Sequence, residues 1–383
     1  MKNRKIYFYW VFLFFIFSLI LSFFYRVNQE NYKKISQIKE NIVKHPENLP
    51  TKEMARLTTF GFKNIKADIY RLETIQYIGG NVIHAEYKKY LYTILDLITE
   101  LNPYFENPYI IGQLLLPDYN YRYENLDKKE QENYIIQGEK IGLKGVKNFC
   151  DEEKLEKIKN EFDLKKIWTE EVYTNPCKSY KVPFHLAFVY YFHKKDPETS
   201  AYYYKVTSAN KDSIEGAKVM SAIMQGKSGD REKSIFMFLS MAKESEKENK
   251  KCQALADQLG NIGVGIINKS IRLDAKLIES IEKTRNKSFG KFNEKREKEF
   301  LDDAKCSNYV NKTIREINLL YIEKANEKFK QKNNGLSARN AQALFEEGYL
   351  EFLPTDFQQY GDYGIIYQYN PDTQKFDYEM GNY

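Results

Sequence analysis

Two glycine-containing tracts resemble parts of nucleotide-binding motifs. Gly226-Lys227-Ser228 matches the end of a phosphate-binding loop, in which backbone N–H groups and a lysine hold phosphate oxygens. That motif also requires glycine at position 221, where the chain has serine, and a strand before it. Gly260, Gly263 and Gly265 give G-x-x-G-x-G, which is the wrong order for a dinucleotide fingerprint. The sequence therefore predicts no phosphate or dinucleotide site.

Histidines and carboxylates give equally little support for catalysis. The chain has four histidines and no H-E-x-x-H motif, and no carboxylate pair stands out among its 53 acidic residues. His185 and His193 are spaced to share one face of a helix and could hold a metal, but no third ligand is evident. We therefore predict a protein that is not an enzyme and has no catalytic residue, cofactor or metal.

The four cysteines are Cys150, Cys177, Cys252 and Cys306, and none belongs to a C-x-x-C pair. This spacing excludes zinc-ribbon and thioredoxin-type sites. An even number of cysteines in an exported domain allows two disulfides, and we expect Cys150–Cys177 and Cys252–Cys306, because this pairing closes the shorter loops. Four free, buried thiols are the alternative, since a domain of this size does not need covalent crosslinks.

Charge is dispersed along the 383-residue chain. The 59 basic and 53 acidic residues give a net charge of +6, and residues 281–306 alone mix eight basic with six acidic side chains. Nucleic-acid-binding proteins cluster their basic residues on one face, so we expect no nucleic-acid partner. An apolar content of 42% excludes a chain that is disordered throughout.

The N-terminus contains a long apolar segment. Ile6–Tyr25 is a run of 20 residues without a charge. As a helix it would extend about 30 Å, the thickness of the hydrocarbon core of a bilayer. A cleaved signal peptide would end in a small-residue cleavage site, whereas this run ends in Phe23-Phe24-Tyr25-Arg26. We therefore predict an uncleaved signal anchor that crosses the cell membrane once.

Basic residues before the segment predict its orientation. Lys2, Arg4 and Lys5 favour a cytoplasmic N-terminus, which places the bulk of the chain outside the cytoplasm. The predicted organisation is a cytoplasmic tail (1–5), a transmembrane signal anchor (6–26), a linker helix (27–50), a helical repeat domain (51–310) and a C-terminal helix with a short β-hairpin cap (311–383).

The elements after the anchor are predicted to be mainly helical. Thr51 resembles an N-cap, and a long helix to about Ile78 ends at Gly79-Gly80. Three- and four-residue steps mark its apolar stripe, which consists of Met54, Leu57, Phe60, Ile65, Ile69, Leu72 and Ile75.

An internal repeat follows further along the chain. A shift of 34 residues superposes two helical hairpins, and such a period is typical of repeats that bury their apolar faces by stacking. The shift places Asp196 on Asp230, Glu198 on Glu232, Ser200 on Ser234, Tyr202 on Phe236, Tyr204 on Phe238 and Val189 on Ile223.

The repeat and the anchor together resemble membrane-anchored tetratricopeptide-repeat-like proteins of bacterial type. Phe184 and Tyr191 fall at the large ring positions of the first helix, Ser200 at the small position of the second, and Tyr204 and Phe238 at the aromatic packing position. Residues 184–245 match clearly and residues 90–150 loosely. The resemblance implies an α-solenoid of helical hairpins. A generic array of helical hairpins is the alternative.

Such repeats bind proteins or peptides in a groove formed by the first helix of each pair. The resemblance implies that this groove is lined by His185, Val189, Phe192, His193, Val219 and Ile223. We therefore expect a membrane-anchored scaffold for protein–protein interaction without catalysis.

The C-terminal residues suggest a second function. A helix over 311–331 precedes two alternating strands, Ile365–Tyr369 and Lys375–Tyr378. This order resembles the head of pseudopilin-like proteins, which would make the chain a structural component of an envelope assembly such as a pilus or secretion machine. A C-terminal cap on the solenoid is the alternative interpretation of the same residues.

Overall fold

The computed structural model describes residues 13–30, 46–83, 85–122, 124–245, 250–290, 306–360 and 363–382. Residues 13–30 form a helix, α1. Within these ranges, we find no helix whose length and apolar character together suffice for a membrane crossing. The tail 1–5, the first part of the anchor (6–12) and most of the linker helix (31–45) lie outside the described residues.

The chain divides into two compact units. The N-terminal unit comprises Met1–Pro108 and Tyr119–Leu126, and the C-terminal unit comprises Tyr109–Asp118 and Asp127–Tyr383, as far as each is described. The sequence predicts domain boundaries at residues 50 and 310. The division of the structure into two units reflects instead which residues contact one another.

The N-terminal unit is built on three helices, α2 (Lys52–Leu57), α3 (Lys63–Gly80) and α4 (Lys88–Leu101). Helix α4 is strongly amphipathic, because apolar residues recur every three or four positions on its buried face. These buried residues are Leu91, Ile94, Leu95, Ile98 and Leu101. A fully buried ion pair, Lys88 Nζ to Glu124 Oε2 at 2.6 Å, lies in the same unit.

The long helix predicted from Thr51 to Ile78 is interrupted. Thr51 caps α2 by accepting the N–H of Met54, as predicted, but the chain then turns through Phe60 (φ +47°) and Gly61 (φ +91°) before α3 begins. The apolar stripe of the predicted helix does not face the core. Met54, Leu57, Phe60, Ile65, Ile69, Leu72 and Ile75 are all exposed.

The C-terminal unit is mainly helical. Its helices pack largely against their neighbours in sequence, as expected of helical hairpins. They are α5 (Glu106–Leu115, which begins in the N-terminal unit), α6 (Lys128–Phe149), α7 (Glu152–Asn160), α8 (Leu164–Thr169), α9 (Lys181–Phe188), α10 (Pro197–Ser208), α11 (Glu215–Lys227), α12 (Arg231–Glu244), α13 (Lys250–Ile267), α14 (Ala275–Phe289), α15 (Cys306–Lys332) and α16 (Ala341–Glu346).

The helices of α9 to α12 follow the 34-residue period. Helices α9 and α11 begin at residues 181 and 215, and α10 and α12 begin at residues 197 and 231. Ser200 and Ser234 are both buried at equivalent places. Their hydroxyls donate to the carbonyls of Ala187 (2.9 Å) and Ala222 (2.8 Å) in the preceding helix. A small hydroxyl therefore joins the two helices of each hairpin.

The two hairpins differ at the N-caps of their second helices. Asp196 accepts the backbone N–H of Thr199 (3.0 Å) and caps α10, whereas Asp230 makes no such bond to α12 and pairs with Lys233. We expect Asp196→Ala to lower the free energy of unfolding by about 1 kcal/mol. Urea titration followed by the fluorescence of Trp168 measures this. Asp230→Ala is the matched control, for which we expect about 0.5 kcal/mol or less. Equal losses in the two variants would contradict the role of Asp196 as a cap.

The chain ends in an antiparallel hairpin, as predicted. Strands β2 (Tyr363–Asn370) and β3 (Lys375–Asn382) pair along their length, and the two-residue strand β1 (Gln359–Tyr360) pairs with the start of β2. Ile365, Tyr367 and Phe376 are buried in the same apolar core as α12 and α15. The mainly helical fold and the C-terminal hairpin are therefore confirmed.

Both cysteine pairs are joined in the structure. Cys150 bonds to Cys177 across 27 residues, and Cys252 bonds to Cys306 across 54 residues. The first bond joins the end of α6 to the loop before α9, and the second joins the beginnings of α13 and α15. This is the pairing that closes the shorter loops.

Candidate functional site

Helix α9, the first helix of the first hairpin, ends in a wider turn than the equivalent helix α11 of the second hairpin. After Phe188 the chain continues as a π-helix over Val189–His193, in which Lys194 N–H donates to Val189 O (3.1 Å). The N–H of Asp196 donates to Tyr190 O (2.9 Å) and closes the segment. A π-turn inserts one residue and rotates the side chains that follow it, and such turns are frequent at functional sites.

A cluster of aromatic rings covers this turn. The ring centroids of Phe188 and Phe192 are 4.2 Å apart, and those of Tyr191 and Phe192 are 4.5 Å apart. Phe192 is 45% exposed, so its ring is accessible from solvent. Behind the cluster, Phe184 meets the buried Tyr204 of α10 edge to face at 5.7 Å. We call Phe188, Tyr191 and Phe192 the ring cluster.

The residues predicted to line the groove divide into two sets. Phe192 is exposed, and His185, His193 and Ile223 are half-buried. The His185 ring lies 5.4 Å from that of Phe184, and the His193 ring lies 5.9 Å from that of Phe188. These four positions are compatible with a binding face, although Ile223 also packs against the core.

The placement of Val189 and Val219 in the groove is wrong, because both side chains are buried. Val189 continues the buried stripe of Val182 and Leu186, at steps of four and three residues, that packs α9 into the unit. Val219 lies in the core because α11 is enclosed by α10 on one side and α12 on the other. The repeat pattern alone does not distinguish these faces.

A buried lysine holds the end of α7 against α10. Lys205 Nζ donates to the carbonyls of Ile158 (3.1 Å), Lys159 (3.2 Å) and Glu161 (2.7 Å). These carbonyls lie at the C-terminus of α7, where intrahelical donors run out, and that of Ile158 also accepts the backbone N–H of Glu161 (3.2 Å). Burial lowers the pKa of Lys205 to about 8.

The lowered pKa of Lys205 predicts a pH dependence of stability. Between about pH 8 and pH 10.5 the folded chain releases the Lys205 proton while the unfolded chain keeps it, so stability rises with pH. We therefore expect the wild type to gain about 2 kcal/mol relative to Lys205→Met between pH 7 and pH 10. Urea titrations at each pH measure the difference. The wild type should show no such gain relative to Lys243→Met, at an exposed lysine. Parallel pH profiles of wild type and Lys205→Met would contradict the assignment.

Arg231 lies at the centre of a buried charge network in the C-terminal unit. Its side chain is fully buried, and Nη1 donates to Glu316 Oε2 (3.0 Å), which is also buried. Nε faces Glu323 Oε1 (3.5 Å), and Nη2 donates to the carbonyl of Phe376 in β3. Burial raises the pKa of the Glu316 carboxyl, and the Arg231 charge opposes that rise. The network joins the repeat, α15 and the hairpin.

Gly226 permits this approach of Glu316. A Cβ atom at position 226 would lie 2.5 Å from Glu316 Oε2, so only glycine leaves room for the carboxylate. The neighbouring Lys227 pairs with Asp377 in β3 and lies over the Tyr378 ring, 4.9 Å from its centroid. The tract Gly226-Lys227-Ser228, which resembles the end of a phosphate-binding loop, therefore packs against the C-terminal hairpin.

A second buried pair holds the segment before the hairpin. Arg315 Nε and Nη2 each donate to a carboxylate oxygen of Asp356 at 2.7 Å, in a bidentate pair. The hydroxyl of Tyr367 donates to the same carboxylate (3.0 Å). Burial alone would lower the pKa of Arg315, but the Asp356 charge and hydrogen bonds raise it, so the guanidinium stays charged.

An open cleft lies beside the repeat, with a cavity volume of about 700 Å³. It is lined by the end of α13, by α15 and by the turn before β3. Lys269, Arg272, Lys324 and Lys375 are exposed along it, and within the described part of the chain none of the four forms an ion pair with a carboxylate. Glu232, Glu323 and Glu327 also line the cleft, so its charge is mixed. The lining residues come from distant segments of the chain, so the sequence alone does not bring them together.

In the part of the chain that the structure describes, no group of three or more histidine, cysteine or acidic residues could hold a metal ion. Comparison with protein-family models, curated proteins and solved structures gives no match to this chain.

Proposed function

We propose that the chain is a membrane-anchored scaffold that binds other proteins through the ring cluster of its helical repeat, without catalysis. The segment 6–26 would hold it in the cell membrane with the bulk of the chain outside the cytoplasm. In this proposal α9 to α12 are two hairpins of an α-solenoid of tetratricopeptide-repeat type, and the helices around them extend the array.

The observation that carries the proposal is the exposure of Phe192, the outermost ring of the ring cluster. Aromatic side chains dominate the energetics of protein interfaces because they bury a large area with few rotatable bonds. Phe192 is 45% exposed and lies against two further rings, which hold its position. A preordered ring of this kind can enter a pocket on a partner at a low entropic cost.

The position of the C-terminal hairpin favours the function of a binding scaffold and disfavours that of a subunit of an envelope assembly. Tyr367 and Phe376 are buried in the core of the C-terminal unit, and Arg231 and Arg315 reach the hairpin and the segment before it. Such a hairpin acts as a cap that closes the last helices. A head that assembles with other subunits would instead present these side chains to its neighbours.

A photoreactive amino acid at Phe192 tests the proposal in intact cells. We expect discrete adducts with another protein when benzoyl-phenylalanine replaces Phe192. Phe162, which is 41% exposed and outside the ring cluster, is the matched control and should give none of these adducts. Phe188→Ser in the chain labelled at 192 should abolish the adducts, because it removes the ring that supports position 192. The same adducts from both labelled positions, or none from either, would overturn the proposal.

A further inference from the structure

Helix α3 exposes an apolar stripe, while its buried face mixes apolar and polar side chains. Ile65, Ile69 and Leu72 are exposed, whereas Glu73 and Thr74 lie on the buried side. The three apolar residues are four and three positions apart, so they form one stripe along the helix. Single exposed apolar residues are common, but a continuous stripe indicates a surface that an apolar partner covers.

The stripe extends into the turn that precedes the helix. Phe62 lies three residues before Ile65 and is exposed on the same helical face. Phe60 is 87% exposed, and Leu57 at the end of α2 is also exposed. We call these six residues the apolar α3 surface: Leu57, Phe60, Phe62, Ile65, Ile69 and Leu72.

The position of α3 in the chain favours a lipid surface as the partner. This step rests on the proposed function, because it requires the anchor at residues 6–26. Only 21 residues separate the end of α1 from the start of α2, and they can span at most about 75 Å when fully extended. Helix α3 has 18 residues and is about 27 Å long. Because the connection to the anchor has a limited reach, α3 stays near the bilayer.

The irregular shape and the charge of the apolar α3 surface favour lipid, and not a second copy of the chain, as its partner. Phe60 and Phe62 protrude from a turn, and a protein partner would need a matching pocket for each ring. Lipid acyl chains and headgroups fill such irregular relief without a fixed shape. Asp68 is the one acidic side chain exposed on α3, and the exposed Lys63 at its start suits an anionic headgroup region.

We infer that the apolar α3 surface docks in the headgroup region of the bilayer that holds the anchor, with acyl chains covering Ile65, Ile69 and Leu72. The helix would lie in the plane of the interface, with its exposed apolar stripe towards the lipid and its buried face on the rest of the N-terminal unit. The N-terminal unit would then have a membrane contact in addition to the anchor.

Photocrosslinking of the full-length chain in vesicles tests this inference. The chain is reconstituted into phosphatidylcholine and phosphatidylglycerol vesicles with benzoyl-phenylalanine at Ile69 or at Phe345, which are 43% and 42% exposed. We expect lipid adducts to be about tenfold more abundant at position 69, because a docked side chain contacts acyl chains instead of water. Leu72→Glu in the chain labelled at 69 should reduce the yield, since it adds a charge to the docked face.

The competing outcomes are separable. Adducts at position 69 with a second copy of the chain, or equal lipid adducts at 69 and 345, would overturn the docking. Flotation of the same vesicles after alkaline carbonate treatment tests the anchor by itself. A chain that leaves the vesicles overturns the anchor and with it the premise, whereas a chain that floats without a lipid adduct at 69 overturns the docking alone.

Discussion

Arg231→Met is expected to lower the free energy of unfolding of the C-terminal unit by about 3–5 kcal/mol, because it leaves the buried carboxylate of Glu316 without its cation. Methionine retains most of the arginine stem, so the loss reflects charge and hydrogen bonds more than packing. Arg231 also donates to the carbonyl of Phe376, which would lose that donor. Urea titration followed by Trp168 fluorescence measures the change.

The loss in Arg231→Met should depend on pH. Without Arg231, burial raises the pKa of Glu316 further, so the folded variant takes up a proton more readily than the unfolded chain does. Stability is then fully present below the ordinary carboxyl pKa and falls as pH rises. We expect the difference from wild type to be smaller at pH 5 than at pH 7.

Two further variants separate the charge from its surroundings. Lys233→Ala, on the same helix but at an exposed pair with Asp230, should cost about 0.5 kcal/mol or less. The double variant Arg231→Met/Glu316→Leu should recover part of the loss, because neither charge is left alone. A double variant no more stable than Arg231→Met would contradict the buried-carboxylate explanation.

Asp356→Asn is expected to have an effect of similar size, about 3–5 kcal/mol, because it leaves Arg315 buried and charged. Arginine cannot lose its proton to escape this situation, since its pKa lies above 12 even when unperturbed. The asparagine amide also turns an N–H towards the guanidinium, where the carboxylate presented an acceptor. Equilibrium unfolding measures the loss, and hydrogen exchange in β2 and β3 shows where the structure loosens.

The control for Asp356→Asn is a carboxylate in the same neighbourhood that is not paired with a buried cation. Glu282 accepts the hydroxyl of Thr355 (2.7 Å) at the surface, so Glu282→Gln should change stability by about 0.5 kcal/mol or less. Faster exchange of the hairpin amides in Asp356→Asn but not in Glu282→Gln would locate the defect. Similar exchange in both variants would contradict the role of the Arg315–Asp356 pair in holding the hairpin.

Patterns that repeat locally were predictable from the sequence. The 34-residue period placed Ser200 and Ser234 at equivalent positions, and both donate to the preceding helix. The alternation around Asn370-Pro371-Asp372 predicted the terminal hairpin, because a turn and two strands are encoded within about twenty residues. In each of these cases the residues that decide the structure are close together in the chain.

The side of a helix that faces the core was harder to predict. The apolar stripe of α3 has regular spacing, yet it is the exposed face, because regular spacing shows only that a helix has two faces. Val189 is buried because it continues the buried stripe of α9, and Val219 is buried because α11 is enclosed by α10 and α12. Arg231 and Arg315 were not recognised because their partners are 85 and 41 residues away.

The distance between Arg231 and its acceptor in β3 has a consequence for synthesis. The two are 145 residues apart, so a ribosome working at about 5–20 residues per second makes Phe376 roughly 7–30 s after Arg231. During that interval the arginine must stay hydrated, and the last helices cannot close over it. A chain that terminates before Phe376 never acquires this acceptor. Its core stays open, and proteases can therefore recognise the incomplete product.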